Sequence, residues 1–324
     1  MKRSLAVIGI IAALAAVFAL CISLGATFIP PHTALAALIG GGDSTERLII
    51  ATLRVPRMLM AFAVGAALSV SGLLYQALFR NPLADPYTIG TAGGAALGAT
   101  VAICLSLGAG AVTAAAFAGS LAAVIAVNAL AARRGFSSVS LIVAGIALSF
   151  ILSSAVMLVF SVARPQLVHK ALMWLMGDLS IARYALLPPL GALVALLIAG
   201  AMVFHRRLDI LSFGPAFARA LGVSPAAVKN IFWLSALLAA LAVTLAGVIG
   251  FVGLIVPHIM RRSLGPAHRL LIPASALGGG CLLALCDALG RSILPLSEVP
   301  AGVMTGFFGG MFFLVLFATR GDAR

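Results

Sequence analysis

Only 9% of the residues in this 324-residue chain are charged, against about 25% in a soluble domain. Apolar residues make up 63% of it, where roughly 45–50% is usual. Too few polar side chains remain to cover a water-facing surface, which excludes an ordinary soluble enzyme. Disorder, a collagen-like rod and a nucleic-acid-binding domain are excluded with it, although 21 Lys and Arg outnumber 8 Asp and Glu. The cysteines Cys21, Cys104, Cys281 and Cys286 stand in apolar stretches without C-x2-C spacing, so neither a thiolate metal site nor a disulfide framework is expected. No G-x-x-x-x-G-K-[ST] occurs, so the chain has no P-loop of its own for ATP hydrolysis. No clear internal repeat of the kind many secondary transporters carry is visible. No long soluble domain interrupts the apolar runs.

Those runs have membrane-crossing length. A spanning helix needs roughly 20 apolar residues, and the composition supports about ten such helices. Candidates lie near 4–26, 57–79, 88–107, 111–132, 139–162, 184–204, 229–249, 251–263, 270–290 and 301–319. The eighth is short and holds Pro257 and His258; it reads as a broken helix packed inside the bundle. The first follows Lys2 and Arg3, which also suits a signal peptide. Its run from Leu5 to Leu24 is long for a signal core, and no A-x-A site follows cleanly. With the N-terminus inside, about two basic residues fall on the inner side for each on the outer side, which places both termini in the cytoplasm. Arg54, Arg57 and Arg291 then fall outside. The expected class is an all-α polytopic membrane protein, with one transmembrane domain over 1–324 and a cytoplasmic segment at about 206–225.

Several residues stand out against this background. Gly65, Ser69, Gly72 and Gln76 share one stripe of the second span. Small residues on a stripe allow close helix packing, and Gln76 leaves a pathway lining open as the alternative. Gly145, Ser149 and Ser153 repeat at four-residue steps in the fifth span, as a helix contact or the wall of a polar path. In the basic loop 205–228, Pro215 marks a helix start and Gly222 a stop; the segment is a connector or a docking element. Asp287 and Arg291 are spaced i,i+4, on one helix face. An intramembrane carboxylate is a functional candidate, but a partner within reach favours a structural ion pair. Glu298 and Pro300 precede the last span, where an acid suits the helix dipole and Pro the first turn. His258 and His268 flank a basic turn, with no second histidine at metal spacing. No catalytic residue and no metal ligand is expected.

Longer stretches carry a family resemblance. They are RVPR at 54–57, GAALSVSGLLYQALFRNPLADP at 65–86, IGTAGGAALGA at 89–99, WLMGDLS at 174–180 and ARALGVSP at 218–225. GVIGFVGLIVPHIMRRSLGPAHRLLIP at 247–273, the Asp287–Arg291 pair and EVPAGVMTGFFGG at 298–310 follow. With these, the chain resembles the permease subunits of type II ABC importers, which carry iron–siderophore chelates, haem or cobalamin. The resemblance covers the chain from about 54 to its end, and RNPLADP and GFVGLIVPH are its most specific parts.

The resemblance implies a fold of ten transmembrane helices and a homodimer around one central pathway, in the cytoplasmic (inner) membrane of a bacterium or archaeon. It implies two cytoplasmic ABC ATPase subunits and a periplasmic or lipid-anchored substrate-binding protein. ATP and magnesium would sit on the ATPases, with no cofactor in this chain and no nucleic acid among its partners. ATPase coupling maps to about Asp209–Gly222, with Arg219, Ala220, Leu221 and Gly222 at its end. Docking of the binding protein maps to Arg54, Arg57 and Arg291. The pathway maps to Gly145, Ser149 and Ser153, with Gly65, Ser69 and Gln76 on the second helix. The chain departs from the family pattern at Pro215 and Ala216, where glutamates are frequent. It departs also at Met311, where Pro is common after Gly, and at Ala267, where Asp is frequent. Ferric chelates or haem lead the expected substrates, ahead of cobalamin and then molybdate. An ion-coupled secondary transporter is the alternative class; Asp287 would be its one acid within the spans.

Overall fold

A computed structural model of the chain describes residues 14–39, 41, 43–133, 137–182, 184–294 and 297–320. Residues 4–13 of the first expected span, along with Arg134 and Arg183, lie outside the described residues. The described residues form helices joined by turns and loops, without a strand. The helices are α1 (Leu14–Ser23), α2 (Pro31–Leu38), α3 (Ser44–Leu48), α4 (Val55–Phe79), α5 (Thr91–Cys104), α6 (Ala109–Ala132), α7 (Ser138–Val162) and α8 (Pro165–Leu175). After them come α9 (Leu187–Val203), α10 (His205–Leu211), α11 (Pro215–Ala220), α12 (Pro225–Ala246), α13 (Val252–Leu264), α14 (His268–Ile293) and α15 (Ala301–Arg320). Seven helical segments are long and apolar enough to cross a membrane; α1 and α5 are shorter apolar helices.

Helix ends follow local chemistry. Ser137 caps α7, accepting from the Ser140 N–H while Ser140 accepts from the Ser137 N–H. Ser224 accepts from the Ala227 N–H, and Pro225 occupies the first turn of α12. Arg80 closes α4 in the left-handed region at φ 51°.

The core forms around α4. A π-helical stretch, Ile49–Arg54, joins α3 to α4 without a break, and 83% of the apolar stretch of Ser44–Phe79 is buried. Around α4 pack α14, α12, α13 and α9. The second span thus begins well before the expected residue 57. Arg54 and Arg57 read as a boundary in the sequence, but their charges are satisfied inside the fold. The third expected span, 88–107, narrows to the 14-residue α5. The polar segment 163–183 contains a helix that the sequence reading missed, α8, packed against α5.

Gly65 and Gly72 let the backbones touch. A Cβ at Gly65 would fall on the Gly279 carbonyl of α14, and one at Gly72 on the Gly253 carbonyl of α13. Gln76, one turn on, donates to the Gly253 carbonyl at 3.1 Å and accepts from Arg261 at 3.2 Å. Gly65, Ser69 and Gln76 are buried along this seam. The short eighth span is an unbroken helix, α13, with Pro257 inside it, and the break lies ahead of it, between α12 and α13. Gly247 and Phe251 sit at φ 71° and 68°. Freed backbone groups find partners: the Ala246 carbonyl accepts from the Asp178 N–H at 3.0 Å, and the Ile249 N–H donates to the Tyr87 hydroxyl at 3.2 Å.

The loop after α4 folds on Asp85, which accepts from the Tyr87 N–H at 2.8 Å while its own N–H donates to Thr88. Burial pushes the Asp85 carboxyl up from 3.8 to about 6.

Two outcomes follow. Gly72→Val should force α4 and α13 apart, costing on the order of 1–3 kcal/mol or more and read as a lower unfolding temperature in detergent. Asp85 binds its proton more readily folded than unfolded, so its contribution to stability is full below pH 4 and is lost as pH rises through about 6. Asp85→Asn should remove that slope from unfolding temperatures measured over pH 4–7.

Candidate functional site

Two clusters lie at opposite ends of the bundle. The first forms where α4 begins and α14 ends. Arg57, on the first turn of α4, faces Asp287 through Nη2 at 2.9 Å and Nε at 3.0 Å. Its Nη1 reaches Glu298 at 2.6 Å. Arg291, one turn along α14, donates from Nε to the other Asp287 oxygen at 3.1 Å. Asp287 is 1% exposed, so it is a buried carboxylate held between two guanidiniums. Such a pair repays its desolvation only when its hydrogen bonds are well made. Glu298 is half exposed, and its pair with Arg57 is correspondingly weaker. Arg291 Nη2 is buried without a hydrogen-bond partner. A cavity of about 350 Å³ opens here, lined by Thr27, Leu53, Arg54, Arg57, Arg291 and Glu298.

Arg54 lines that cavity, but its guanidinium turns inward. Nη1 donates to the carbonyls of Ile22 at 2.7 Å and Ser23 at 2.9 Å, and Nη2 to that of Thr27. At 3% exposure Arg54 fastens the end of α1 to the π-helical turn. Its Nη1 and Nη2 donors are thereby taken up inside the fold. Arg57 and Arg291 are also paired, with Arg57 the more accessible at 14%. The structure brings all three arginines together, with two carboxylates opposite them.

The second cluster is the basic loop. It forms two short helices, α10 and α11, turned by Gly214 at φ 112° and ended by Gly222 at φ 78°. Phe213, Phe217 and Leu221 are exposed, and the two phenyl rings lie 5.5 Å apart. Arg219, Ala220 and Gly222 share this open surface. A Cβ on Gly222 would meet nothing within 4 Å. Ala218 and Leu211 hold the pair to the bundle. A cavity of about 500 Å³ beside it is lined by Leu78, Arg80, Ser138, Pro215, Arg219 and Lys229. Asp209, 38% exposed, is tied to the start of α14. Its carboxylate accepts from the backbone N–H of His268 at 2.9 Å and from ring Nδ1 at 2.7 Å. The sequence reading missed this pairing; Asp209 is the lone acid between Asp178 and Asp287, which could have signalled a partner.

Between the clusters, α7 is largely open, with 11% of its apolar stretch buried. Gly145 is not on the open side: it packs on the backbone of Thr88 and Ile89. Ser149 is half-buried and donates to the Gly145 carbonyl at 2.8 Å. The open side holds Val143, Phe150, Ser154 and Ser161, with Ser153 at its edge. Gly145 and Ser149 thus face the start of α5, and the four-residue step drifts around the helix to bring Ser153 toward the open side. Among the described residues, no three His, Cys, Asp or Glu could hold a metal ion.

With seven helical segments long and apolar enough to cross a bilayer, the chain is a multi-pass membrane protein. The sequence profile of the FecCD transport family matches residues 13–319, and the chain belongs to that family. It is 38% identical over 288 residues to the cobalamin import system permease protein BtuC of Halobacterium salinarum, covering 86% of this chain and 76% of that protein. It is 37% identical over 280 residues to the hemin transport system permease protein HmuU of Yersinia pestis, covering 84% of each. A solved metal-chelate type ABC transporter in an inward-facing conformation superposes with a TM-score of 0.84 at 28% identity, covering 96% of this chain and 98% of that one.

Replacing Asp287 with Ala should strand two buried guanidiniums and cost about 3–5 kcal/mol. Glu298→Gln should cost no more than about 1 kcal/mol. Thermal unfolding of the two variants in detergent checks the ranking.

Proposed function

We propose that this chain is the membrane permease of an ATP-driven importer of a bulky metal chelate, an iron(III)–siderophore or haem. The observation that carries the reading is the exposed hairpin Asp209–Gly222 at the basic end of a FecCD-family bundle. The basic end faces the cytoplasm by the usual charge rule, which puts both termini there. Two ABC ATPase subunits bind Phe213, Phe217 and Leu221 and supply the hydrolysis; this chain performs no chemistry. A binding protein docks at the opposite face, over the cavity of Arg57, Arg291 and Glu298. Two copies of the chain pair so that the open side of α7, with Ser153 and Ser154, lines a shared pathway beside α15. Small hydroxyls and apolar side chains make such a wall weakly binding, so substrate affinity resides in the binding protein. Asp287, locked between Arg57 and Arg291, is poorly placed to carry protons in an ion-coupled cycle.

Cobalamin is the second reading, supported by the 38% identity to a cobalamin import permease. Uptake of labelled ferric chelate, haem and cobalamin by a strain lacking this gene separates the two. Loss of iron or haem uptake is expected, and loss of cobalamin uptake alone would move the assignment. Gly222→Leu places a side chain at φ 78° on the docking surface. It should abolish ATP-driven uptake while the protein still reaches the membrane, as measured by uptake and immunoblot together.

A further inference from the structure

The first N–H groups of a helix have no partner within it. In α14 the residue placed to cap them is Ala267, which has no side-chain acceptor. The acceptor comes instead from Asp209 of α10, 59 residues earlier, which takes the His268 N–H at 2.9 Å and the His268 ring Nδ1–H at 2.7 Å. Both bonds go to a carboxylate, which makes them stronger than neutral ones. His268 is 3% exposed, so the joint is fixed on the bundle side. On the other side, α10 is seven residues long and continuous with the open face of α11.

The far end of α14 carries Asp287 and Arg291. Asp287 holds Arg57 at the start of α4, and Arg57 holds Glu298 just ahead of α15. The 26 residues of α14 make a rod about 39 Å long. One end is capped by the hairpin, and the other organises the arginine cluster. We propose that the Asp209–His268 joint transmits movement of the hairpin to α14. Asp209 is then a positioning residue for the transport cycle. This rests on the reading of the hairpin as the ATPase contact. Because the cap is supplied from another helix, displacement of α10 must either carry α14 with it or leave the His268 N–H bare.

The test separates a transmitting joint from a mere cap. The whole transporter, purified with its ATPase subunits in lipid nanodiscs, carries Ser154→Cys on the open side of α7. Maleimide labelling there is compared without nucleotide and after trapping with ATP and vanadate. Asp209→Ala should abolish the nucleotide-driven change in labelling and lower the unfolding temperature. Adding Ala267→Asp supplies a local cap in a backbone already extended for it (φ −69°, ψ 115°). The double variant should regain the unfolding temperature while the labelling change stays lost. Recovery of the labelling change in the double variant, or its survival in Asp209→Ala, overturns the proposal. So does a labelling change lost together with an unfolding temperature that Ala267→Asp does not restore, since the defect is then one of folding. If Asp209→Ala does not assemble, the double variant decides alone. Gly222→Leu in the Ser154→Cys background is the control for the hairpin itself. If it leaves the labelling change intact, the ATPase-contact reading fails. If it abolishes the change while Asp209→Ala does not, only the joint fails.

Discussion

A polar group inside a hydrocarbon layer must find its partner in the protein, since no water is there to supply one. That constraint explains most of what is unusual in this fold. Arg54 enters the bundle only because three carbonyls from the end of α1 and the turn after it receive its donors. The chain breaks between α12 and α13 only where Tyr87 and Asp178 meet the freed backbone groups. Asp287 is buried because two guanidiniums are buried with it.

Within lipid there is little hydrophobic gain in bringing two apolar helices together, so close backbone contact takes over. Gly65 on Gly279 and Gly72 on Gly253 provide it along one side of α4. Gln76 continues the same line as a hydrogen bond to the Gly253 carbonyl. The stripe therefore works as a ruler that fixes α14 and α13 against α4. The two clusters are held at fixed places on that frame.

Much of this was legible in residue order. Apolar blocks of the right length announced the bundle, and Pro215 with Gly222 announced the hairpin helix. The short eighth span was read from Pro257 and its length. Other features were hidden because they depend on pairing across the chain. Arg54 looked like an outward cation, since nothing local shows that carbonyls at 22, 23 and 27 surround it. Gly145 and Ser149 stood open between a helix contact and a lining, since a small-residue stripe does not say which neighbour it meets. The helix Pro165–Leu175 was missed because its polar face made the segment read as loop. Asp209 was assigned to the hairpin without its partner, because the bond to His268 joins residues that only the fold brings close.

The π-helical stretch Ile49–Arg54 has a different kind of consequence. A π turn holds one residue more than an α turn in the same rise. Deleting a single residue there would relax it to ordinary helix while leaving the helical turns on either side in nearly the same orientation. Inserting one into the α-helical turns beside it would instead rotate everything before the insertion by about 100° around the axis of α4. Those six residues therefore act as slack in the chain, absorbing one residue while α3 and α4 stay joined.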